Sequence, residues 1–320
     1  MDPKKVMVTG GAGFIGSHIV ERCLSKGWET IVVDNLSKGE FENIPIGARF
    51  YHTDIRSHEM EGILAKERPD VIVHQAAQTD VQYSINEPLE DASANILSTI
   101  RLLELAVKYG VRKFVYASSA AIYGMPEAAL INEAHPKHPM SGYGVSKYVP
   151  ELYIYTYAKL YGLEYGILRY ANVYGPRQAS DGEGGVVAIF VDRLLRGQKL
   201  VIYGDGEQTR DFIYVEDIAD ANIAAILAEQ NVIANVGTAH PLSVNALVAS
   251  LQDCCDQKTR VEYRPARAGD IMHSCLDNHK AIQQLKWEPK VRLEEGLWKT
   301  YSYRLSKMTQ EKALESAAHI

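Results

Sequence analysis

Three places in this chain have residue types and spacing suited to chemistry. The first is Tyr143-Gly144-Val145-Ser146-Lys147, which sets a phenol and an ammonium four residues apart. On a helix that spacing puts both side chains on one face. An ammonium beside a phenol stabilises the phenolate and brings it toward the range of a working base. Ser119 closes the run Tyr116-Ala117-Ser118-Ser119, where a hydroxyl can bridge a substrate alcohol and the tyrosine. The second place is Gly10-Gly11-Ala12-Gly13-Phe14-Ile15-Gly16. Gly10, Gly13 and Gly16 there allow a tight turn, close backbone approach to a pyrophosphate and close helix–strand packing, with a helix amino terminus facing the anion. The third is Asp34, whose carboxylate can accept hydrogen bonds from ribose hydroxyls and repel a 2′-phosphate. Glycine turn, helix and acid in that order imply a dinucleotide site. With no arginine beside Asp34, they favour NAD over NADP.

The elements that must position these groups are visible as alternating patterns. Residues 6–9, 30–34, 49–54, 71–74, 113–118 and 165–169 read as strands, several of them apolar without alternation, as parallel strands buried on both faces are. Residues 14–26, 57–67, 89–109 and 143–161 read as helices between them. This alternation predicts an α/β fold, a doubly wound parallel sheet of the Rossmann type. After Gly175-Pro176 the elements shorten and Gly- and Asp-rich loops appear at 182–185 and 204–207. A boundary near residue 172 then gives a cofactor domain over 1–172 and a smaller, mixed α/β substrate domain over 173–320. Some later segments are expected to pack back on the first. The tail from Ser306 is polar and rich in Ala, Glu and Lys, consistent with a frayed helix or a disordered end.

Bulk properties narrow the classes. The chain has 320 residues, 46% hydrophobic and 23% charged, enough for a substantial core. A formal net charge of −6 argues against coating nucleic acid or an anionic membrane. No apolar run approaches the roughly 18–20 residues needed to span a bilayer. The stretch after the lysines of residues 1–5 is broken by glycines and reads as structure rather than as a signal peptide. Cys23, Cys254, Cys255 and Cys275 lack metal-ligand spacing, and adjacent Cys254 and Cys255 are poor disulfide partners. Reduced thiols in a cytoplasmic protein with no bound metal are expected.

Taken together, Gly10–Gly16, the Ser119/Tyr143/Lys147 set and Asn172-Val173-Tyr174-Gly175-Pro176-Arg177 resemble the extended short-chain dehydrogenase/reductase family. Within it the likeness is to nucleotide-sugar 4-epimerases of the UDP-glucose/UDP-galactose type. It runs from about Val6 to about Arg304 and takes in Gly204–Phe212 and Arg267-Ala268-Gly269-Asp270. The resemblance implies Tyr143 as base, Ser119 as its hydrogen-bonding partner and Lys147 on the nicotinamide ribose of NAD. It implies backbone donors from Phe14 and Ile15 to the pyrophosphate, and Asn35 beside Asp34 at the cofactor. Asp54 and Ile55 would meet the adenine. Gln75, Ala76 and Ala77 would line the cofactor cleft, with Asn95 and Tyr170 close by. The family's 4,6-dehydratases carry an acidic pair just after the serine or threonine of this strand end. Here the stretch is Ser119-Ala120-Ala121-Ile122-Tyr123, so elimination of water is disfavoured.

On the substrate side the resemblance implies Arg210 and Arg267 on the diphosphate of a UDP-hexose, where planar guanidinium groups meet phosphate oxygens in bidentate fashion. Asn172 would donate to a phosphate, Asp270 would hold a ribose hydroxyl or orient Arg267, and Tyr203 would pack against the base. Ser274, four residues past Asp270, falls where the family lines the sugar's 2-position, and its small size leaves room for an N-acetyl group. A homodimer built on helices 89–109 and 143–161 is also implied, with Tyr148, Leu152, Tyr155 and Leu160 as apolar anchors. A 4-epimerase for a uronic acid or deoxysugar, a reductase, and a non-catalytic NAD-binding role on the same fold stay open as alternatives.

Overall fold

The computed structural model describes residues 2–180, 185–266 and 271–318. From the amino terminus come β1 (Lys5–Thr9), α1 (Phe14–Ser25), β2 (Glu29–Asp34), β3 (Arg49–His52), α2 (Glu59–Glu67) and β4 (Val71–His74). Two short helices, α3 (Val81–Asn86) and α4 (Pro88–Ala92), lead through a π-helical turn at Ser93–Leu97 into α5 (Ser98–Lys108). Then follow β5 (Lys113–Ser119), α6 (Gly142–Tyr161), β6 (Glu164–Tyr170) and β7 (Asn172–Tyr174). The later part carries α7 (Val186–Leu195), β8 (Leu200–Tyr203), β9 (Thr209–Tyr214), α8 (Val215–Leu227), β10 (Val232–Val236) and β11 (Pro241–Ser243). It ends with α9 (Val244–Cys254), β12 (Val261–Arg264), β13 (His273–Ser274), α10 (His279–Leu285) and α11 (Leu293–Ala318).

Seven of these strands form one parallel sheet in the order β10-β6-β5-β4-β1-β2-β3. Alternate residues of each strand enter different cores. Val6 and Val8 of β1 join Val32, Val73 and Val115 on the face covered by α1, α8 and α10. Met7 joins Ile31, Val33, Ile72 and Phe114 on the face covered by α2, α5 and α6. Burial on both faces is what the apolar runs require, and it is the expected doubly wound arrangement. From β1 the chain winds outward to β2 and β3, then returns to β4 on the other side of β1. That reversal opens a crevice at the carboxyl ends of β1 and β4, where such sheets seat ligands.

The later segments contribute to both parts. β10 extends the large sheet and α8 packs on α1, so the chain crosses back to the first strands. β11, β9 and β13 form a small mixed sheet with β7 paired to β9, and β8 pairs with β12. A separate core gathers Phe190, Leu194, Ile202, Phe212, Leu247 and Leu251. Two expectations shift in detail. The strand read over 49–54 ends at His52, because Asp54 already turns the chain by accepting from Ser57 N at 2.8 Å. The helix read over 89–109 is interrupted by the π turn, while the tail from Ser306 is helical through Ala318. Among the described residues no helix is long and apolar enough to cross a membrane.

Candidate active site

The glycine turn leaves β1 at Thr9 and enters α1 after Gly13. A Cβ on Gly16 would stand 2.0 Å from Gly10 O, so only glycine lets α1 start this close to the turn. Gly13 caps α1 without a side-chain bond, so the first-turn N–H groups, those of Phe14 and Ile15 among them, have no intrahelical acceptor. Asp34 ends β2 buried, its Oδ2 accepting from Ala12 N at 3.0 Å and its Oδ1 from Leu36 N at 2.8 Å. The carboxylate thus braces the glycine turn and its own loop, with lone pairs to spare for two hydroxyls. Asn35 donates to Asp54 Oδ2 at 3.0 Å, and Asp54 is held below the usual carboxylate range by its hydrogen bond from Arg56. Ile55 is buried in the core between the sheet and α2, and its side chain packs there.

Across the crevice, Gln75 and Ala76 follow β4, both N–H groups donating to Thr9 O at 3.1 Å, and Ala77 is half-buried beside them. Gln75 Nε2 donates to Tyr170 OH at 3.1 Å and Asn222 Oδ1 at 3.3 Å. Asn222 Nδ2 in turn donates to Tyr170 OH at 2.7 Å. Burial pushes the Tyr170 phenol up to about 12, so it stays neutral as a wall of the crevice. Asn222, on α8, is a member of this wall that sequence reading did not single out. Asn95 lies in the π turn, donating to Ser146 Oγ at 2.9 Å and Gln78 O at 2.9 Å.

The reactive group sits where α6 meets the end of β5. Ser141 caps α6 by accepting from Gly144 N at 3.1 Å, which places Tyr143 in the first turn. A Cβ on Gly144 would approach Ala121 O to 2.6 Å, so glycine here sets how closely α6 meets the turn after β5. Ser119 Oγ accepts from Ala121 N at 3.2 Å, leaving its proton for the Tyr143 oxygen. Burial pushes the Tyr143 phenol up, and the Ser119 hydrogen bond opposes that by favouring phenolate. Lys147 follows one turn later, buried, with Nζ donating to Ala117 O at 2.9 Å and lying 5.3 Å from the Tyr116 ring centroid. Its ammonium is brought down to about 8 by burial. Behind it, His74 is held between Thr9 Oγ1 at 2.7 Å and Thr99 Oγ1 at 3.0 Å and is brought down to about 3 by burial, hence neutral.

Another turn along α6, Glu151 meets Arg169 of β6 in a buried bidentate pair, at 3.0 Å from Nε and 2.7 Å from Nη2. Ser118 donates to the same carboxylate, and Arg169 reaches Tyr123 OH at 2.8 Å. This clamp ties α6, β5 and β6 together just beneath Ser119, Tyr143 and Lys147.

A cleft of about 550 Å³ in the later part brings Asn172, Tyr203 and Arg210 together, with Val186, Phe190 and Arg193. Arg210 donates to Thr209 O at 2.8 Å, and Ser274 is its direct neighbour in the parallel pairing of β13 with β9. Asp211, buried next to Arg210, anchors β9 by accepting from Thr238 N at 2.8 Å. Arg267 and Asp270 lie outside the described residues.

The α1 amino end, the Asp34 carboxylate and the Lys147 ammonium converge on the switch-point crevice, a donor and acceptor set that fits a pyrophosphate, a ribose diol and a second ribose. The comparisons agree with that class. The family model described as the NAD dependent epimerase/dehydratase family matches residues 6–237, and the chain belongs to this family, with NAD its cofactor. A crystal structure of UDP-glucose 4-epimerase with UDP-glucose from Thermotoga maritima is 46% identical, with a TM-score of 0.93, over 95% of this chain and 99% of that one. The UDP-glucose 4-epimerase of Thermus thermophilus in complex with NAD is 41% identical, with a TM-score of 0.89, over 93% and 98%. A UDP-N-acetylglucosamine 4-epimerase from Methanobrevibacter ruminantium is 35% identical, with a TM-score of 0.92, over 96% and 100%.

Proposed function

We propose that this chain epimerises C4 of a UDP-hexose, interconverting UDP-glucose and UDP-galactose, and that it also accepts the N-acetylhexosamine pair. The observation that carries this reading is the Ser119–Tyr143–Lys147 set, held at the edge of a crevice that Asp34 and the glycine turn also border. Tyr143 takes the proton from the sugar 4-hydroxyl, with Ser119 bridging the two oxygens. Lys147 holds the nicotinamide ribose and steadies the phenolate with its charge. NAD, when bound, would supply the acceptor for the C4 hydride and the donor that restores it, so no cofactor would be consumed over a cycle. Tyr143 gives its proton back once the 4-keto sugar has turned over in the pocket. A pocket that grips the nucleotide and leaves the sugar free to rotate suits this cycle.

Asn172, Tyr203, Arg210, Arg267 and Asp270 take the nucleotide diphosphate in this reading, and Ser274 borders the sugar's 2-position. Phe14, Ile15, Asn35, Asp54, Ile55, Gln75, Ala76, Ala77, Asn95 and Tyr170 belong to the NAD side, with the division between the two domains near residue 172. The test is product analysis with UDP-galactose and a trace of NAD. Turnover far past the NAD present supports an epimerase, whereas a stop after one equivalent indicates a reductase or dehydrogenase.

The same reading includes a homodimer. Leu89, Leu97, Leu152, Tyr155 and Leu160 stand 85%, 61%, 51%, 49% and 66% exposed along α4–α6, an apolar strip suited to a second copy. Tyr148 contributes less than its spacing suggests, since it is half-buried against Ile122 and Tyr123. Light scattering at micromolar concentration that returns a monomer would remove the dimer from this reading.

A further inference from the structure

Asp91 occupies the inner face of α4 at 2% exposure. Its Oδ1 accepts from Gln78 Nε2 at 2.8 Å and from Asn95 Nδ2 at 3.3 Å, and both donors are neutral amides. A carboxylate buried among neutral donors is costly unless a positive charge balances it. Asn95 passes the connection on, since its amide also donates to Ser146 Oγ, next to Lys147 on α6. The π turn that carries Asn95 aims it across at α6, and such turns recur at functional sites.

We propose that Asp91 is a positioning residue for the reaction, the buried counter-charge of Lys147 that also fixes α6 to the crevice through Asn95 and Ser146. The proposal rests on the epimerase reading above. Its field reaches both members of the pair. It pulls the Lys147 ammonium up against burial, and it adds to the burial that pushes the Tyr143 phenol up.

The other charges around the pair are accounted for. Glu151 on α6 is paired with Arg169, and on the sheet side Tyr116 is a buried phenol and His74 is neutral. Asp80 caps α3 at Tyr83 N, Glu87 is exposed, and Glu90 pairs with Arg56. Asp91 has no ion pair of its own among the described residues, and its charge acts on Lys147 through space.

The test is the pH dependence of kcat for the full NAD-loaded chain on UDP-galactose, comparing Asp91→Asn with the unaltered protein. Without the charge, the phenolate forms more readily and Lys147 loses its proton sooner. The acid and alkaline limbs should therefore both move to lower pH, by on the order of one unit. Asp91→Glu keeps the charge and should restore both limbs, even where kcat is reduced. Should Asp91→Asn fail to fold, Asp91→Ser removes the same charge and is read in the same way. A lowered kcat with both limbs in place would overturn the inference and leave Asp91 a packing residue, with the epimerase reading intact. Unaltered protein that turns over no UDP-sugar would overturn the epimerase reading, and the inference with it.

Discussion

Ser119 at the end of β5 acts on the Tyr143 phenol in the first turn of α6, favouring its ionised form, so the proposed base and its bridging hydroxyl come from two elements 24 residues apart in sequence. Because Tyr143 stands in the first turn of α6 while the clamp that anchors the helix lies two turns further on, removing its hydroxyl should leave the fold intact. Tyr143→Phe is expected to keep NAD binding and to lose about 10²–10⁴ in kcat, the usual effect of losing a general base. Steady-state rates beside a count of bound NAD check this. Near-normal turnover would mean that the base is elsewhere.

Asp34 accepts from Ala12 N and Leu36 N, so it shapes the glycine turn and sets the charge beside it. Asp34→Ala should weaken NAD binding and narrow the preference over NADP, since an acceptor and a repulsive charge go together. Titration with the two cofactors reads this directly, and an unchanged ratio would remove Asp34 from the ribose.

The Glu151–Arg169 pair is buried on both sides. Arg169→Met would strand the Glu151 carboxylate, at an expected cost of about 3–5 kcal/mol in stability. Urea unfolding measures it, and a midpoint equal to that of the unaltered protein would show that Glu151 finds other compensation.

Ser274 sits beside Arg210 in the β13–β9 pairing, and in the proposed reading a larger side chain there narrows the space next to the sugar. Ser274→Tyr should suppress turnover of UDP-N-acetylhexosamines far more than of UDP-glucose and UDP-galactose, by steric exclusion. Equal loss on both classes would put Ser274 outside the sugar pocket.

Much of this was legible because it is local. The glycine spacing, Asp34 at a strand end and the Tyr143–Lys147 interval need only a strand and a helix to acquire meaning. Unalternating apolar runs likewise disclosed a sheet covered on both faces. What was not legible depends on contacts that only the fold makes. Gln75 and Asn222 are 147 residues apart, and Glu151 and Arg169 read in sequence like ordinary surface charges. Asn222 did leave one trace, a single amide in the run Ala221–Ile226 of α8, whose other residues are apolar. Asp91 left none, because an acid in the first turn of a short helix is commonplace.

The central claim is that hydride leaves C4 and returns to the same carbon within one site. Conversion of UDP-galactose deuterated at C4 measures this most directly. The account predicts UDP-glucose that retains the deuterium at C4, with no label in NAD released to solution. Product that has lost the label, or label accumulating in free cofactor, would contradict it.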